Sequence, residues 1–132
     1  MPSSKPPPAL KAMLVCDVAV VDANTGKWSL LGIFSQITAH RLPCRHKSLC
    51  VYARLTEVRA EQELRLELRD LARDQLVGHG NVKVNAVDPL ATTEIVCRLN
   101  NLVFPHPGKY EFQLLAGDEL LGSTELVVGQ AK

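Results

Sequence analysis

Alternation of apolar and charged side chains is the feature that most constrains the fold of this chain. Leu64, Leu66 and Leu68 are separated by single charged residues within positions 62–70. Because successive side chains point to opposite faces of a strand, a two-residue period favours a strand with one buried face. A helix over 57–76 is the alternative, since the Glu, Arg, Leu and Ala residues there favour helix, but Leu66 would lie opposite the other two leucines. We therefore predict a strand over 62–70.

Similar alternation recurs in short runs that are broken by turn residues, at the spacing of about 8–12 residues that is typical of sandwiches and barrels. One core is expected, because 132 residues with 46% apolar and 22% charged composition match an ordinary single domain. A flexible proline-rich arm is predicted at 1–11 and the domain at 12–130. The predicted strands are 13–21, 28–35, 48–56, 62–70, 76–84 and 93–100, followed by a hairpin that turns at Gly117-Asp118 and ends with 120–128.

Three irregularities are expected within this pattern. The segment 36–47 contains Pro43 and is predicted to be a long irregular connection. Gly78 and Gly80 indicate a bulge in a weak edge strand. The pair Asn100-Asn101 is expected to shift the phase of the alternation, so that Leu102 and Phe104 point inward.

Charge and targeting signals exclude several classes of protein. Fifteen Lys and Arg against fourteen Asp and Glu give a net charge of +1, which is too weak a field to gather nucleic acid or anionic lipid. The apolar run 12–21 carries Asp17 and lacks a small-x-small cleavage pattern, so it does not match a secretory signal. With no apolar run of about 18 residues, no membrane span is predicted. We expect a cytoplasmic protein with free thiols, and a bridge from Cys16 to Cys97 if it were exported.

No sequence pattern indicates catalysis. A Gly-x-Ser-x-Gly nucleophile elbow and a phosphate-binding glycine loop are both missing, so we expect no enzyme activity and no cofactor. The aspartates beside turn residues are predicted to cap those turns. Four potential zinc ligands do lie within eleven residues, namely His40, Cys44, His46 and Cys50. Their spacing does not match the paired knuckles of structural zinc sites, so loop histidines and packed cysteines are the favoured interpretation and a metal site the alternative.

Apolar side chains on both faces of the first two predicted strands suggest a binding surface. A sandwich strand normally hides one face, so the second face needs a cover, either the loop 36–47 or another protein chain. The predicted interface residues are Val15, Ala19, Val21, Leu31 and Ile33. We therefore predict a non-enzymatic interaction or assembly module that binds a protein partner or itself, a homodimer included. A small-ligand or zinc-binding module that uses the loop 36–50 is the alternative.

Two segments carry a resemblance to a known family. Residues 16–34, which end in Ser-Leu-Leu-Gly-Ile-Phe after a glycine turn, and residues 107–112, Pro-Gly-Lys-Tyr-Glu-Phe, resemble an uncharacterised family of small bacterial β-sandwich domains. The second segment is also similar to the strand entry of immunoglobulin-like sandwiches. The resemblance implies no activity and no catalytic residue. Together with the periodicity it gives the expected fold class, an all-β antiparallel sandwich of about seven or eight strands, immunoglobulin-like in broad architecture.

Overall fold

A computed structural model describes residues 6–85, 88 and 90–131 of the protein. Nine strands form in this part of the chain, and it contains no helix. The strands are β1 (Ala9–Val21), β2 (Trp28–Ile33), β3 (Gln36–Ala39), β4 (Cys44–Thr56), β5 (Gln62–Asp70), β6 (Gln75–Val84), β7 (Thr93–Phe104), β8 (Gly108–Ala116) and β9 (Glu119–Gln130). The predicted all-β class is confirmed.

The strands form two sheets with the core between them. One sheet has the order β2-β1-β4-β7 and the other the order β3-β9-β8-β5-β6. The largest buried side chains include Leu49, Leu55 and Phe104 from the four-stranded sheet and Leu64, Phe112 and Leu126 from the five-stranded sheet. Burial of each such side chain stabilises the fold by roughly 1.5–3 kcal/mol. The ring of Phe104 meets that of Tyr110 edge to face, with 5.0 Å between centroids, and so joins the two sheets. The predicted β-sandwich is confirmed.

Strand β5 has the bounds that the alternation predicts, 62–70. Leu64, Leu66 and Leu68 are each at most 2% exposed, so the helical alternative for this segment is wrong. On the other face, Glu67 accepts hydrogen bonds from Arg65 Nε at 2.6 Å and from Arg69 Nε at 3.1 Å. The bond from Arg65 is the main cause that lowers the pKa of Glu67. The charged positions of the pattern therefore pair with one another, half-buried, on the face of the strand that is turned away from the leucines.

The two local irregularities predicted at Asn101 and at Gly78 are both present. Asn101 has φ 57°, and it forms no pair with Lys47, the residue that lies opposite in the register of β4 with β7. Beyond Asn101, the side chains of Leu102 and Phe104 are buried. In β6, Leu68 of β5 faces Gly78 and Arg69 faces Leu76, which leaves Val77 as an extra residue. An extra residue on one strand is a bulge, as the glycines indicate.

The predicted arm 1–11 and the predicted connection 36–47 both differ from the structure. Residues 9–11 belong to β1, where Ala9 and Leu10 pair with Thr56 and Leu55 of β4, so the predicted arm 1–11 extends too far into the chain. Strand β3 and the start of β4 fall within 36–47, so the predicted irregular connection is wrong. The sandwich consequently has nine strands in the described residues, and β3 runs parallel to β9 while the other pairs are antiparallel. No helix in the described ranges is long and apolar enough to cross a membrane.

Candidate interaction surface on the first hairpin

Strands β1 and β2 form a hairpin whose turn is held by one aspartate. Asp22 Oδ1 accepts hydrogen bonds from the backbone N–H groups of Asn24, at 2.8 Å, and Thr25, at 3.0 Å. These bonds favour the charged carboxylate and lower the pKa of Asp22. Gly26 follows at φ +73°, a conformation that glycine adopts without strain. The local sequence therefore fixes the turn that brings the two strands together.

The hairpin carries an unusual share of the exposed apolar surface. Six of the eleven exposed large apolar side chains in the described residues lie on it. We call these six the hairpin patch: Leu14 (38% exposed), Val18 (40%), Val20 (47%), Val21 (50%), Leu31 (56%) and Ile33 (57%). They occupy both faces of the hairpin, because successive strand residues such as Val20 and Val21 point to opposite sides. Val18 and Leu31 are direct cross-strand partners, so they share a face of the sheet.

Three of the five predicted interface residues lie in the hairpin patch and two do not. Val21, Leu31 and Ile33 are exposed, whereas Val15 is 2% and Ala19 8% exposed. Val15 packs into the main core. Ala19 lies in a second small cluster that includes Cys16 and Cys50 and that Trp28, Leu30 and Val96 pack against. The prediction that Val15 and Ala19 lie on the open face is therefore wrong, while Leu14, Val18 and Val20, predicted to face inward, are exposed instead.

Gly32 interrupts the pairing of β1 with β2. It has φ +69°, and a Cβ atom built on it would lie 2.4 Å from Oδ2 of Asp17. The register passes from the pair Cys16 and Ile33 to the pair Val18 and Leu31 without a pair between them. A residue with a side chain at position 32 would thus have a strained backbone conformation, and its Cβ atom would clash with Asp17. The strand is regular from residue 28 to residue 31 and kinked just beyond.

A groove opens beside this kink. It has a volume of about 470 Å³ and is lined by Asp17, Gly32, Ile33, Phe34, Gln36, Ile37, Thr38 and His46. The ring of His46 lies against that of Phe34, with 5.7 Å between centroids and 42° between planes. Residues of β2, β3 and β4 therefore meet here, and the groove continues the hairpin patch at Ile33.

Strands β2 and β3 also share one side of the sandwich. Each is the edge of its sheet, and the contacts of β1 with β9 and of β6 with β7 stack the sheets with β2 and β3 on the same side. The segment 28–39, which covers both strands, contains no Lys, Arg, Asp or Glu. At the opposite side β7 carries Glu94 and Arg98 and β6 carries Lys83. This charge-free run was not predicted, although a count of charges along the sequence would have revealed it.

The structure does not assemble the four potential zinc ligands. Cys44, His46 and Cys50 all lie on β4, where six residues of extended strand put Cys44 and Cys50 roughly 20 Å apart. Zinc ligands must approach the metal to about 2.0–2.3 Å. Among the described residues no three His, Cys, Asp or Glu side chains converge on a possible metal position. The metal set considered as the alternative, which also includes His40, is therefore not assembled in the described residues, because neighbours in the sequence of an extended strand are not neighbours in space.

All four cysteines are free, and the bridge from Cys16 to Cys97 that was considered for an exported protein does not fit the strand order. Cys16 faces Cys50 on the adjacent strand β4, and β4 separates it from Cys97 on β7. Two strand spacings of about 4.8 Å exceed the usual Cα separation of a disulfide, about 4.4–6.8 Å. Burial raises the pKa of the Cys97 thiol to about 11 and also raises that of Cys16. Both thiols are therefore poor nucleophiles.

Polar side chains elsewhere have structural partners. Asp70, the buried charged residue of the described part, caps the turn after β5 through the N–H groups of Ala72 and Arg73, and Asp88 accepts from the N–H of Leu90. The turn-capping role predicted for these two aspartates is confirmed. Sequence reasoning did not identify Tyr52, whose hydroxyl donates to Glu94 Oε2 and whose pKa is raised to about 12 by burial first and by the carboxylate second.

Comparison with known proteins gives a family and a distant structural likeness. A family model described as a family of unknown function (DUF6941) matches residues 11–129. An immunoglobulin-like protein from Pseudomonas aeruginosa is similar over 96% of this chain and 99% of that one, with 11% identity and a TM-score of 0.44. A β-glucosidase from Listeria innocua is similar over 73% of this chain but 15% of its own, with 12% identity and a TM-score of 0.45. No curated protein matches the sequence.

Proposed function

Since the chain belongs to DUF6941, a family of unknown function, we propose from its surface that it is a non-enzymatic module that binds another protein chain through the hairpin patch. The observation that carries the proposal is the concentration of exposed apolar side chains on one hairpin. Apolar area contributes roughly 25 cal/mol per Å² when it is removed from water. Large apolar patches on soluble proteins are typical of interaction sites.

The exposure within the hairpin patch is greatest where a partner would reach it most easily. Leu31 and Ile33 lie on β2, at the edge of the sheet, and more than half of each is exposed. Val18 lies beside Leu31 on the inner strand β1 and extends the apolar surface over a second strand. A partner that covers the edge would therefore bury side chains of both strands together.

A non-enzymatic role is part of this proposal. The buried charged side chain of the described residues, Asp70, is used by a turn, and the partly buried thiol of Cys97 has a raised pKa. Groups that perform acid-base or nucleophilic chemistry instead need pKa values near the working pH and access to a substrate. The free cysteines fit the reducing cytoplasm, which we include in the proposal, and the net charge of +1 disfavours nucleic acid and anionic membrane partners.

Site-specific photo-crosslinking tests the proposal in cells that make the protein. The cross-linking amino acid p-benzoylphenylalanine replaces Leu31 in one variant and Leu120 in a matched control, since Leu120 is 51% exposed but lies on β9. We expect a protein adduct of defined mass from position 31, its loss when Ile33→Lys is added, and none from position 120. No adduct at position 31, or an equal one at position 120, would contradict the proposal.

The groove beside β2 supports a second candidate function, the binding of a small amphipathic aromatic ligand. Gln36, Ile37, Thr38 and His46 belong to the segment 36–50, and they line the groove of about 470 Å³ together with Phe34. Nuclear magnetic resonance titration with indole tests this candidate. Saturable shifts confined to the groove residues would favour it, and an absence of saturable shifts would remove it.

A further inference from the structure

We propose that the protein chain which covers the hairpin patch is a second copy of this one. Two β2 strands would pair antiparallel, edge to edge, and join two four-stranded sheets into one sheet of eight strands. This inference rests on the proposed function and names its partner. A two-fold axis between the β2 strands would close the assembly at two copies, because each chain has one β2 edge.

The unprotected edge of β2 is the first argument. Within the described residues, β2 pairs with β1 on one side and with no strand on the other. Exposed edges are normally protected by charged residues, proline or bulges. The six residues of β2, Trp-Ser-Leu-Leu-Gly-Ile, contain neither charge nor proline, and their pairing with β1 is regular from Trp28 to Leu31. Four residues of regular backbone are thus ready to accept another strand.

The other edges of the two sheets are protected in these ways. Strand β7 carries charged side chains at Glu94 and Arg98. Strand β6 carries Lys83 and the bulge at Val77, and it also contacts β7. Strand β3 has four residues against the six of β2, and a very short edge strand is less open to strand addition. Charge, proline and shortness are therefore all missing at β2, although β2 has the kink at Gly32, and this is the pattern expected if the edge is covered in the working protein.

Charge is the argument for a second copy rather than a different protein. In a two-fold contact each residue meets the same surface on its partner, so charged groups near the axis would face their own sign. The segment 28–39 contains no charged residue, and the whole chain has a net charge of +1. No charge within this segment therefore opposes self-association, and the small net charge adds little long-range repulsion, while Asp17 of β1, which lies against Gly32, is the nearest charge on the neighbouring strand. A surface specialised for a different partner would commonly use charges to select it.

Sedimentation equilibrium and hydrogen exchange test the inference with the full chain. We expect a mass of twice 14.5 kDa, and amide protection in residues 28–33 that rises with protein concentration while the edge strand β7 is unchanged. Leu31→Lys and, as a second variant, Ile33→Lys should weaken the dimer at least about 100-fold, because each puts a positive charge from both copies into the apolar contact, and like charges in an interface cost several kcal/mol. Leu120→Lys, an equally exposed position on β9, should leave the dimer intact. Circular dichroism establishes that each variant is folded.

Several outcomes would overturn the inference. A wild-type monomer at every concentration would do so, as would an assembly larger than two copies, since one free edge per chain cannot support it. A dimer that withstands both lysine substitutions on β2, or that Leu120→Lys disrupts, would place the interface elsewhere. A monomer that still gives a cross-linked adduct with a different protein from position 31 would end this inference but leave the proposed function standing.

Discussion

Replacement of Asp70 by alanine measures how burial changes the contribution of a turn-capping side chain to the free energy of unfolding. The chain contains a matched exposed cap at Asp22. Each carboxylate accepts hydrogen bonds from the N–H groups two and three residues later. The distances are 3.1 and 3.3 Å at Asp70 and 2.8 and 3.0 Å at Asp22. The side chain of Asp70 is 4% exposed and also lies 3.5 Å from Arg73 Nη1, whereas Asp22 is exposed.

The expected loss follows from these contacts. A hydrogen bond to a charged group contributes about 1.5–3 kcal/mol net, so loss of the two backbone bonds of Asp70 should lower the free energy of unfolding by about 3–6 kcal/mol. That is a large part of the roughly 5–15 kcal/mol typical of a domain. At Asp22, water replaces the lost acceptor, so Asp22→Ala should lower the free energy of unfolding several times less. Asp70→Asn keeps an acceptor oxygen and should fall between the wild type and Asp70→Ala.

Urea denaturation followed by circular dichroism gives the three free energies of unfolding. Fluorescence of Trp28, the single tryptophan, reports separately on the hairpin and should give the same transition if the domain unfolds in one step. Equal decreases in the free energy of unfolding for Asp70→Ala and Asp22→Ala would refute the reasoning, since burial would then not determine how much the cap stabilises the fold. A loss for Asp70→Asn as large as that for Asp70→Ala would show that charge, and not the acceptor geometry, carries the effect.

Two further predictions concern Gly32 and Tyr52. Gly32→Ala should destabilise the protein more than Gly26→Ala, because both have a positive φ but a Cβ at position 32 would also overlap Asp17, while position 26 is open; equal urea midpoints would contradict this. The pKa of Tyr52 lies above its unfolded value of 10, so the contribution of Tyr52 to stability should be constant below pH 10 and be lost as the pH rises toward about 12. Glu94→Gln should lower the pKa of Tyr52 yet leave it above 10, since burial is the larger cause; an unchanged value in ultraviolet titration would exclude the pairing with Glu94.

The parts of the fold that were predictable are those whose information is local. Strand β5 was predicted to its residue bounds because each leucine is separated from the next by one charged residue. The hairpin of β8 and β9 follows from an alternating run on each side of Gly117. Strand β3 was missed because it has four residues and pairs with β9 near the other end of the chain. A short strand with a distant partner has too few residues to show a clear alternation, and its neighbours in the sequence do not indicate its pairing.

The candidate surface was predictable in part for a similar reason. An apolar side chain at Val21 or Leu31 indicates a surface that needs a cover, but it does not reveal which neighbours already provide one. Ala19 is covered by Trp28 and Leu30, which required the register of the hairpin to be known. The zinc hypothesis failed because it equated closeness along the sequence with closeness in space, which holds in a compact loop but not along β4.

The parallel pairing of β3 with β9 has a consequence for how the protein is made. Strand β9 separates β3 from β8, so β3 has no neighbour in its sheet until the last strand of the fold emerges from the ribosome. During that time the uncharged segment 28–39 stays without its final cover, and such segments aggregate readily when chains meet. Nascent or prematurely terminated chains should therefore depend on chaperones more than the finished protein does.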